Sequence, residues 1–171
     1  MTSKKDIIKL FRLTASLMEI HDENEFKTRV FTNAVFNLEK HEGELMGLTE
    51  DELGKIEGIG KSLVSNISQI LANGTFDKLE ELKENTPEGL LDIIDIKGLG
   101  AKKVRTLWKD LGIASLEEIK VACEQNRIAG IKGFGERTQE NILKEVNYKL
   151  SNKYKLLYAD AEILAEGWLK K

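Results

Sequence analysis

An all-α fold follows from three features of this 171-residue sequence. Its single proline leaves long stretches free to be helical. Leu, Ile, Lys and Glu, which lose little rotamer freedom in a helix, dominate it. Its apolar residues recur at three-and-four spacing, the period of one helical face. Hydrophobic residues make up 41% and charged residues 32%, a globular balance that excludes disorder for most of the chain. No run approaches the ~18 apolar residues of a membrane span. The opening Lys4-Lys5-Asp6-Ile7-Ile8-Lys9 interrupts its apolar residues with charge, unlike a signal peptide.

The elements follow in order. Residues 4 to 20 form a helix with an apolar stripe of Ile7, Ile8, Phe11, Leu13, Ala15, Leu17 and Met18. Residues 24 to 40 form a second, N-capped by Asn24, with Phe26, Val30, Phe31, Ala34, Val35 and Leu38 as its apolar face. Thr49-Glu50-Asp51-Glu52 is a capping box opening a short helix that ends near Gly58. A helix over residues 61 to 72 follows, then one from Gly74-Thr75 to about Glu84. Asn85-Thr86-Pro87-Glu88 places the proline at a helix N1 position, and a boundary between two small helical subdomains is expected there. Residues 77 to 95 hold seven acids against two lysines, which reads either as a face turned away from any polyanion or as an ordinary solvated helix surface. Ser115-Leu116-Glu117-Glu118 is another capping box, and residues 135 to 149 form a long polar helix.

Fourteen glycines in a helical chain need a reason, since one inside a helix costs about 1 kcal/mol against alanine. Six of them fall in three stretches that align without gaps: Ile56-Glu57-Gly58-Ile59-Gly60, Ile96-Lys97-Gly98-Leu99-Gly100 and Ile131-Lys132-Gly133-Phe134-Gly135. Each has an apolar residue seven places after its second glycine: Ile67, Leu107 and Ile142. The frame is helix, tight turn, helix, and both glycines are expected to serve conformations or close approaches that a Cβ obstructs. The second helix then starts with unpaired N–H groups and the positive end of its dipole outward, a place for an anion such as a backbone phosphate.

Basic residues gather beside these turns: Lys61 with Ser62 after the first, Lys102, Lys103 and Arg105 after the second, Arg137 after the third. Between Ile96 and Lys109 there are five Lys or Arg and no acid, although the whole chain carries −3. Attraction to a polyanion is thus local. The third turn is the least regular, with Thr138 and Gln139 where the first has Leu63 and Val64.

Other chemistries fail on spacing. Gly54-Lys55-Ile56-Glu57-Gly58-Ile59-Gly60-Lys61-Ser62 has five residues between Gly54 and Gly60 where a P-loop has four, and it follows a helix instead of a strand. Leu63, Lys103 and Thr138 stand where Gly-x-Gly-x-x-Gly needs its last glycine. His21 and His41 are too few and too far apart for a metal site and are expected at the surface. Cys123, the only cysteine, excludes an internal disulfide and fits a reducing, cytoplasmic compartment. Beside Ile119 and Ala122 it reads as core, and Trp108 and Phe134 read as packing residues. With aromatics at 6%, a platform for stacked single-stranded bases is not expected.

The tandem Gly-apolar-Gly turns resemble helix-hairpin-helix motifs. Their order behind Asn24-Glu25-Phe26-Lys27-Thr28-Arg29-Val30-Phe31-Thr32-Asn33-Ala34 is similar to the amino-terminal part of bacterial family X DNA polymerases, over essentially the whole chain. The resemblance implies a lyase-type domain over residues 1–84 that holds the downstream 5′ end of a gap and contains the first hairpin. Residues 86–150 correspond to a DNA-binding subdomain with the second hairpin and a degenerate third, and residues 151–171 to a helical tail that leads to the polymerase palm through Leu157-Tyr158-Ala159-Asp160-Ala161. The palm, with its Gly-Ser turn and metal-binding aspartates, lies outside these 171 residues, so a fragment without polymerase chemistry is expected.

Carried over by position, Lys27 and Lys78 contact a 5′-phosphate. Gly58, Ile59, Gly60, Lys61 and Ser62 grip backbone at the first hairpin, and Gly98, Leu99, Gly100, Ala101, Lys102 and Lys103 at the second. Gly133, Gly135 and Arg137 are the corresponding residues of the third. Main-chain carbonyls of Ile56 and Ile59, or of Ile96 and Leu99, are implied as ligands of a sodium or potassium ion, and no other cofactor is expected. One departure bears on catalysis. The lysine that forms the Schiff base in lyase-active members is here Asn66, whose amide is no amine nucleophile. Phe31 stands where animal relatives tend to have tyrosine and Gly54 where they have lysine.

The expected function is therefore sequence-independent binding of gapped or nicked duplex DNA in DNA repair of the base-excision kind, with no catalytic residue in this chain. Two alternatives remain: a sugar-phosphate lyase using another lysine such as Lys61, which borohydride trapping would reveal, and a helical protein-interaction module whose acidic connector meets a partner.

Overall fold

The computed structural model describes residues 2–169, and among them are nine α-helices and no strand. The chain divides into two compact units, one ending at Pro87 and the other starting at Glu88.

The first unit contains α1 (Lys4–Ile20), α2 (Glu25–Lys40), α3 (Glu50–Leu53), α4 (Lys61–Asn73) and α5 (Asp77–Glu84). Side chains start three of them. The Ser3 hydroxyl accepts the Asp6 N–H while the Asp6 carboxylate accepts the Ser3 N–H at 2.8 Å, a reciprocal box that holds the Asp6 carboxyl below its ordinary value. Thr49 and Glu52 repeat the arrangement at α3, and Asn24 caps α2 by accepting the Phe26 N–H at 2.8 Å. α1 packs against α2 and α5. At that junction Phe11 meets Phe31 and Phe76 edge-on at 5.4 and 5.8 Å, and the Phe31 and Phe76 rings stack at 6.0 Å. Thr86 closes the unit: its buried hydroxyl donates to the Leu82 carbonyl at 2.6 Å, so the His21 ring, 2.7 Å away, donates to it through Nε2–H.

Several expectations are corrected here. On α2 only Phe31, Ala34, Val35 and Leu38 are buried, whereas Phe26 is 78% exposed and Val30 is exposed as well. At 3.6 residues per turn Val30 and Phe26 lie roughly 90° and 130° round from the centre of the buried stripe. On α1, Leu13 and Ala15 are half-buried, and Thr14 and Ile20 fill the core instead. α3 stops at Leu53, and residues 54–58 form successive tight turns instead of helix. α5 starts at Asp77 because Gly74 ends α4 in a left-handed conformation (φ +77°) and Phe76 is extended, its ring pinned in the core. His21 and His41 are half-buried, not surface, residues.

The second unit contains α6 (Glu88–Ile94), α7 (Ala101–Leu111), α8 (Leu116–Glu124) and α9 (Glu136–Leu169). Pro87 immediately precedes α6. Gly89 lies so close to the chain entering α8 that a Cβ there would overlap the Ala114 carbonyl. Ser115 caps α8 by accepting the Glu118 N–H, but the Glu118 carboxylate takes the Ala114 N–H (2.7 Å) instead of completing a box with Ser115. Leu90, Ile93, Val104, Leu107, Ile119 and Val146 are fully buried. Cys123 is core, and burial pushes its thiol up to about 11.

α9 has 34 residues, and its buried positions, Gln139, Ile142, Val146 and Leu150, all lie in its first half. The helix runs unbroken across residue 150, so the tail expected over 151–171 continues it; residues 170 and 171 lie outside the described residues. No helix among the described residues is long and apolar enough to cross a membrane.

Candidate nucleic-acid interface

The three glycine turns share one backbone pattern. The residue between the glycines donates its N–H to the carbonyl three residues back, at 3.0 Å in each case: Ile59 to Ile56, Leu99 to Ile96, Phe134 to Ile131. The second glycine then accepts the first bond of the following helix, from Val64 to Gly60 at 3.0 Å, Val104 to Gly100 at 3.0 Å, and Gln139 to Gly135 at 2.9 Å. Ile59 and Leu99 are buried and plug their turns into the cores.

The two glycines of a pair do different work. The first adopts the left-handed region, with φ of +76° at Gly58, +91° at Gly98 and +90° at Gly133, where a Cβ crowds the following carbonyl. At Gly58 the Asn37 side chain also occupies the place of a Cβ. In the first two pairs the second does not need to be glycine for the chain to turn. Gly60 (φ −81°, ψ 176°) and Gly100 (φ −73°, ψ 166°) are extended N-caps that any residue adopts, and a Cβ on either meets open space. The expectation that both glycines serve the turn itself is corrected: at Gly60 and Gly100 the missing Cβ leaves room outside the molecule.

α4 and α7 begin at these N-caps, neither with a side-chain cap nor with an acid in its first turn. Their first N–H groups are thus left to the outside. Lys61, Ser62 and Lys102 stand exposed beside them, and Ala101 is half-buried. Lys103 bends back to within 3.5 Å of the Gly98 carbonyl, with its ammonium 5.5 Å from the centre of the Phe134 ring. Of the residues assigned to a 5′-phosphate, Lys27 is exposed in the first turn of α2. Lys78 is engaged: its ammonium lies 2.8 Å from Glu23 and 3.5 Å from Glu81, and the hydrogen bond to Glu23 holds it above the ordinary lysine value. Asn66, at the Schiff-base position, is half-buried on α4.

The third turn has taken a structural task. Gly135 is itself left-handed (φ +124°), and Phe134 is only half-buried. Gln139, where the others have valine, is buried; its Oε1 accepts the N–H groups of Ile128 (3.3 Å) and Ala129 (2.9 Å), and its Nε2 donates to Asn126 Oδ1 at 2.8 Å. Arg137 is exposed beside it.

Grooves beside the first two turns differ in charge. The one along Gly60, of about 620 Å³, is bordered by Lys55 and Lys61 but also by Glu50 and Asp51. The one along Gly98, of about 470 Å³, is bordered by Lys97, Lys103 and Lys144 and a single acid, Glu145. Lys144 and Asn141 escaped the reading of the sequence; their signal was their place on one face of the long polar helix. Among the described residues no three His, Cys, Asp or Glu side chains cluster to hold a metal ion.

Residues 2–76 match the family described as helix-hairpin-helix domain, and residues 90–147 that described as SAM-like helix-hairpin-helix tandem. The fold is a tandem of helix-hairpin-helix domains. The first match takes in the Gly58 hairpin, the second the Gly98 and Gly133 hairpins. Over 141 residues the tandem is 38% identical to DNA polymerase/3′-5′ exonuclease PolX of Bacillus subtilis (strain 168), a stretch that is 82% of this chain and 24% of that protein. The tandem therefore spans about a quarter of that relative's length, and its resemblance to family X polymerases extends well beyond the hairpin sequences.

Proposed function

We propose that this chain binds DNA through its backbone phosphates, without reading bases, as the amino-terminal part of a family X DNA polymerase, and that gapped or nicked duplex is its substrate. The observation that carries this reading is the open second glycine. At Gly60 and Gly100 the fold does not require glycine, yet the missing Cβ clears the approach to uncapped helix N–H groups flanked by exposed lysines. A phosphate oxygen fits that approach, and such contacts carry no base information.

Lys27 and Lys78 supply the contacts to a downstream 5′-phosphate, Lys78 after leaving Glu23. A sodium or potassium ion fits the same turns: the Ile56 and Ile96 carbonyls each accept one N–H and keep a second lone pair, with Ile59 and Leu99 as their partners in the site. The rest of the polymerase, including its palm, belongs to the full-length protein in this reading.

The test is a fluorescence-anisotropy titration with a gapped duplex, with and without a downstream 5′-phosphate, at ~50 and ~200 mM salt. With about four to six phosphates engaged, log affinity falls against log salt with a slope of about −4 to −5. Tighter binding of the phosphorylated gap is expected. Absence of binding at low salt would refute the reading.

A further inference from the structure

We infer that the DNA-binding surface of the second hairpin extends into the groove between that hairpin and α9, which takes phosphates of one stretch of DNA backbone through Lys97, Lys103, Lys144 and Asn141. The inference rests on the proposed DNA binding and adds to the hairpin's Lys97 and Lys103 two residues that no hairpin turn supplies, Asn141 and Lys144.

Three observations carry it. First, the groove gathers cations from two elements far apart in sequence. Lys97 and Lys103 come from the hairpin of α6 and α7, and Lys144 from α9, all bordering one volume of about 470 Å³. Glu145 is the only acid on that border, which leaves an excess of two positive charges in a chain whose total is −3. Three ammonium groups that share a groove repel one another, and an anion in the groove relieves that repulsion.

Second, the cations are available. Lys97 and Lys144 are exposed, and neither takes part in any ion pair among the described residues, whereas Lys78, Lys83 and Lys120 all sit on carboxylates. Lys103 is oriented toward the groove's rim by its approach to the Gly98 carbonyl. The Asn141 amide, one turn before Glu145 on the same helix, adds a neutral donor of the kind that contacts phosphate oxygens.

Third, the corresponding groove beside the first hairpin balances two lysines with two acids. The border of the first groove is thus balanced and that of the second is net positive.

The experiment uses the full chain. Lys97→Ala/Lys144→Ala is compared with Lys120→Ala/Lys155→Ala, which removes the same charge from positions outside the groove. Each is titrated with a labelled duplex at several salt concentrations after circular dichroism has established folding. Loss of two phosphate contacts lowers the magnitude of the salt slope by about 1.8 and weakens binding severalfold at low salt, while the control pair leaves the slope unchanged. Equal slopes for the two double variants would overturn the inference. A Gly100→Val variant separates this failure from failure of the general reading. If that variant loses binding while the groove pair retains it, the hairpins bind and the groove does not. If wild type itself binds no duplex, both readings fall. Calorimetric titration with inorganic phosphate alone is the last arm: no saturable binding is expected, and saturable binding that vanishes in Lys97→Ala/Lys144→Ala would mark a small-anion site and overturn the assignment to a DNA strand.

Discussion

Exchanging either glycine of the second hairpin for alanine separates its two tasks. At Gly98, φ is +91°, and an alanine there adopts a backbone that costs about 1–2 kcal/mol, with no neighbouring atom to add to it. At Gly100 the extended backbone accepts alanine. Its smaller unfolded-state freedom contributes about 0.4–1 kcal/mol of stability, and the poorer N-cap removes a similar amount, so the net change is near zero. A cost of 1–2 kcal/mol lowers the melting temperature of a domain of this size by about 4–16 °C. Calorimetry, which resolves the transitions of two units, is the assay for stability, and anisotropy with duplex DNA the assay for binding. Gly98→Ala is expected to melt early, while Gly100→Ala is expected to melt with wild type and yet bind DNA more weakly, since its Cβ stands in the approach proposed for a phosphate. Gly100→Val should sharpen that loss. If Gly100→Ala melts as early as Gly98→Ala, or if folded Gly100→Val binds as wild type does, the division of labour between the two glycines is refuted.

Three further outcomes follow from the same geometry. Gly89→Ala drives a methyl group into the Ala114 carbonyl and is expected to cost the second unit about 1–3 kcal/mol while the first unit's calorimetric transition stays in place; a shift of both transitions would contradict it. The capping carboxyls Asp6 and Glu52 are held below their ordinary values by N–H donation. Their contribution is thus complete above the unfolded carboxyl range of about 4 and is lost as pH falls through the lower folded values, so the first unit's melting temperature drops over that acidic window and drops less in Asp6→Asn/Glu52→Gln. Glu23→Gln removes the nearer of the two carboxylates on Lys78, leaving Glu81, and is expected to tighten binding of the 5′-phosphorylated gap by up to about fivefold, the ceiling of a partly exposed ion pair, with no gain for the unphosphorylated gap as the measured contrast.

Much of the fold was legible because local chemistry and tertiary packing agree. Asn24, Thr49 and Ser115 start helices as their side chains dictate. The glycine repeat fixed all three turns in register, since the left-handed first glycine is a property of the chain itself. Periodicity misled where burial depends on which neighbour is present. Phe26 and Val30 are apolar and near the stripe of α2, yet no element among the described residues covers them. The site was legible to the same degree. The hairpin residues follow from the repeat, but Lys78 is tied to Glu23, 55 positions away in sequence. The charge of the Gly98 groove comes partly from Lys144 on α9, a pairing that exists only after folding.

The length of α9 has a consequence for how order spreads along it. Starting a helix is the unfavourable step, and each added residue after that is nearly neutral. The buried residues from Gln139 to Leu150 supply the start, so the exposed turns beyond them grow from a seed they did not form. Each successive turn relies on the one before, so fraying of the exposed stretch is expected to run inward toward Lys153, which pairs with Asp92 at 3.9 Å, and the buried Leu150. The last turns thus report on the core's integrity at a distance of several turns, without touching it.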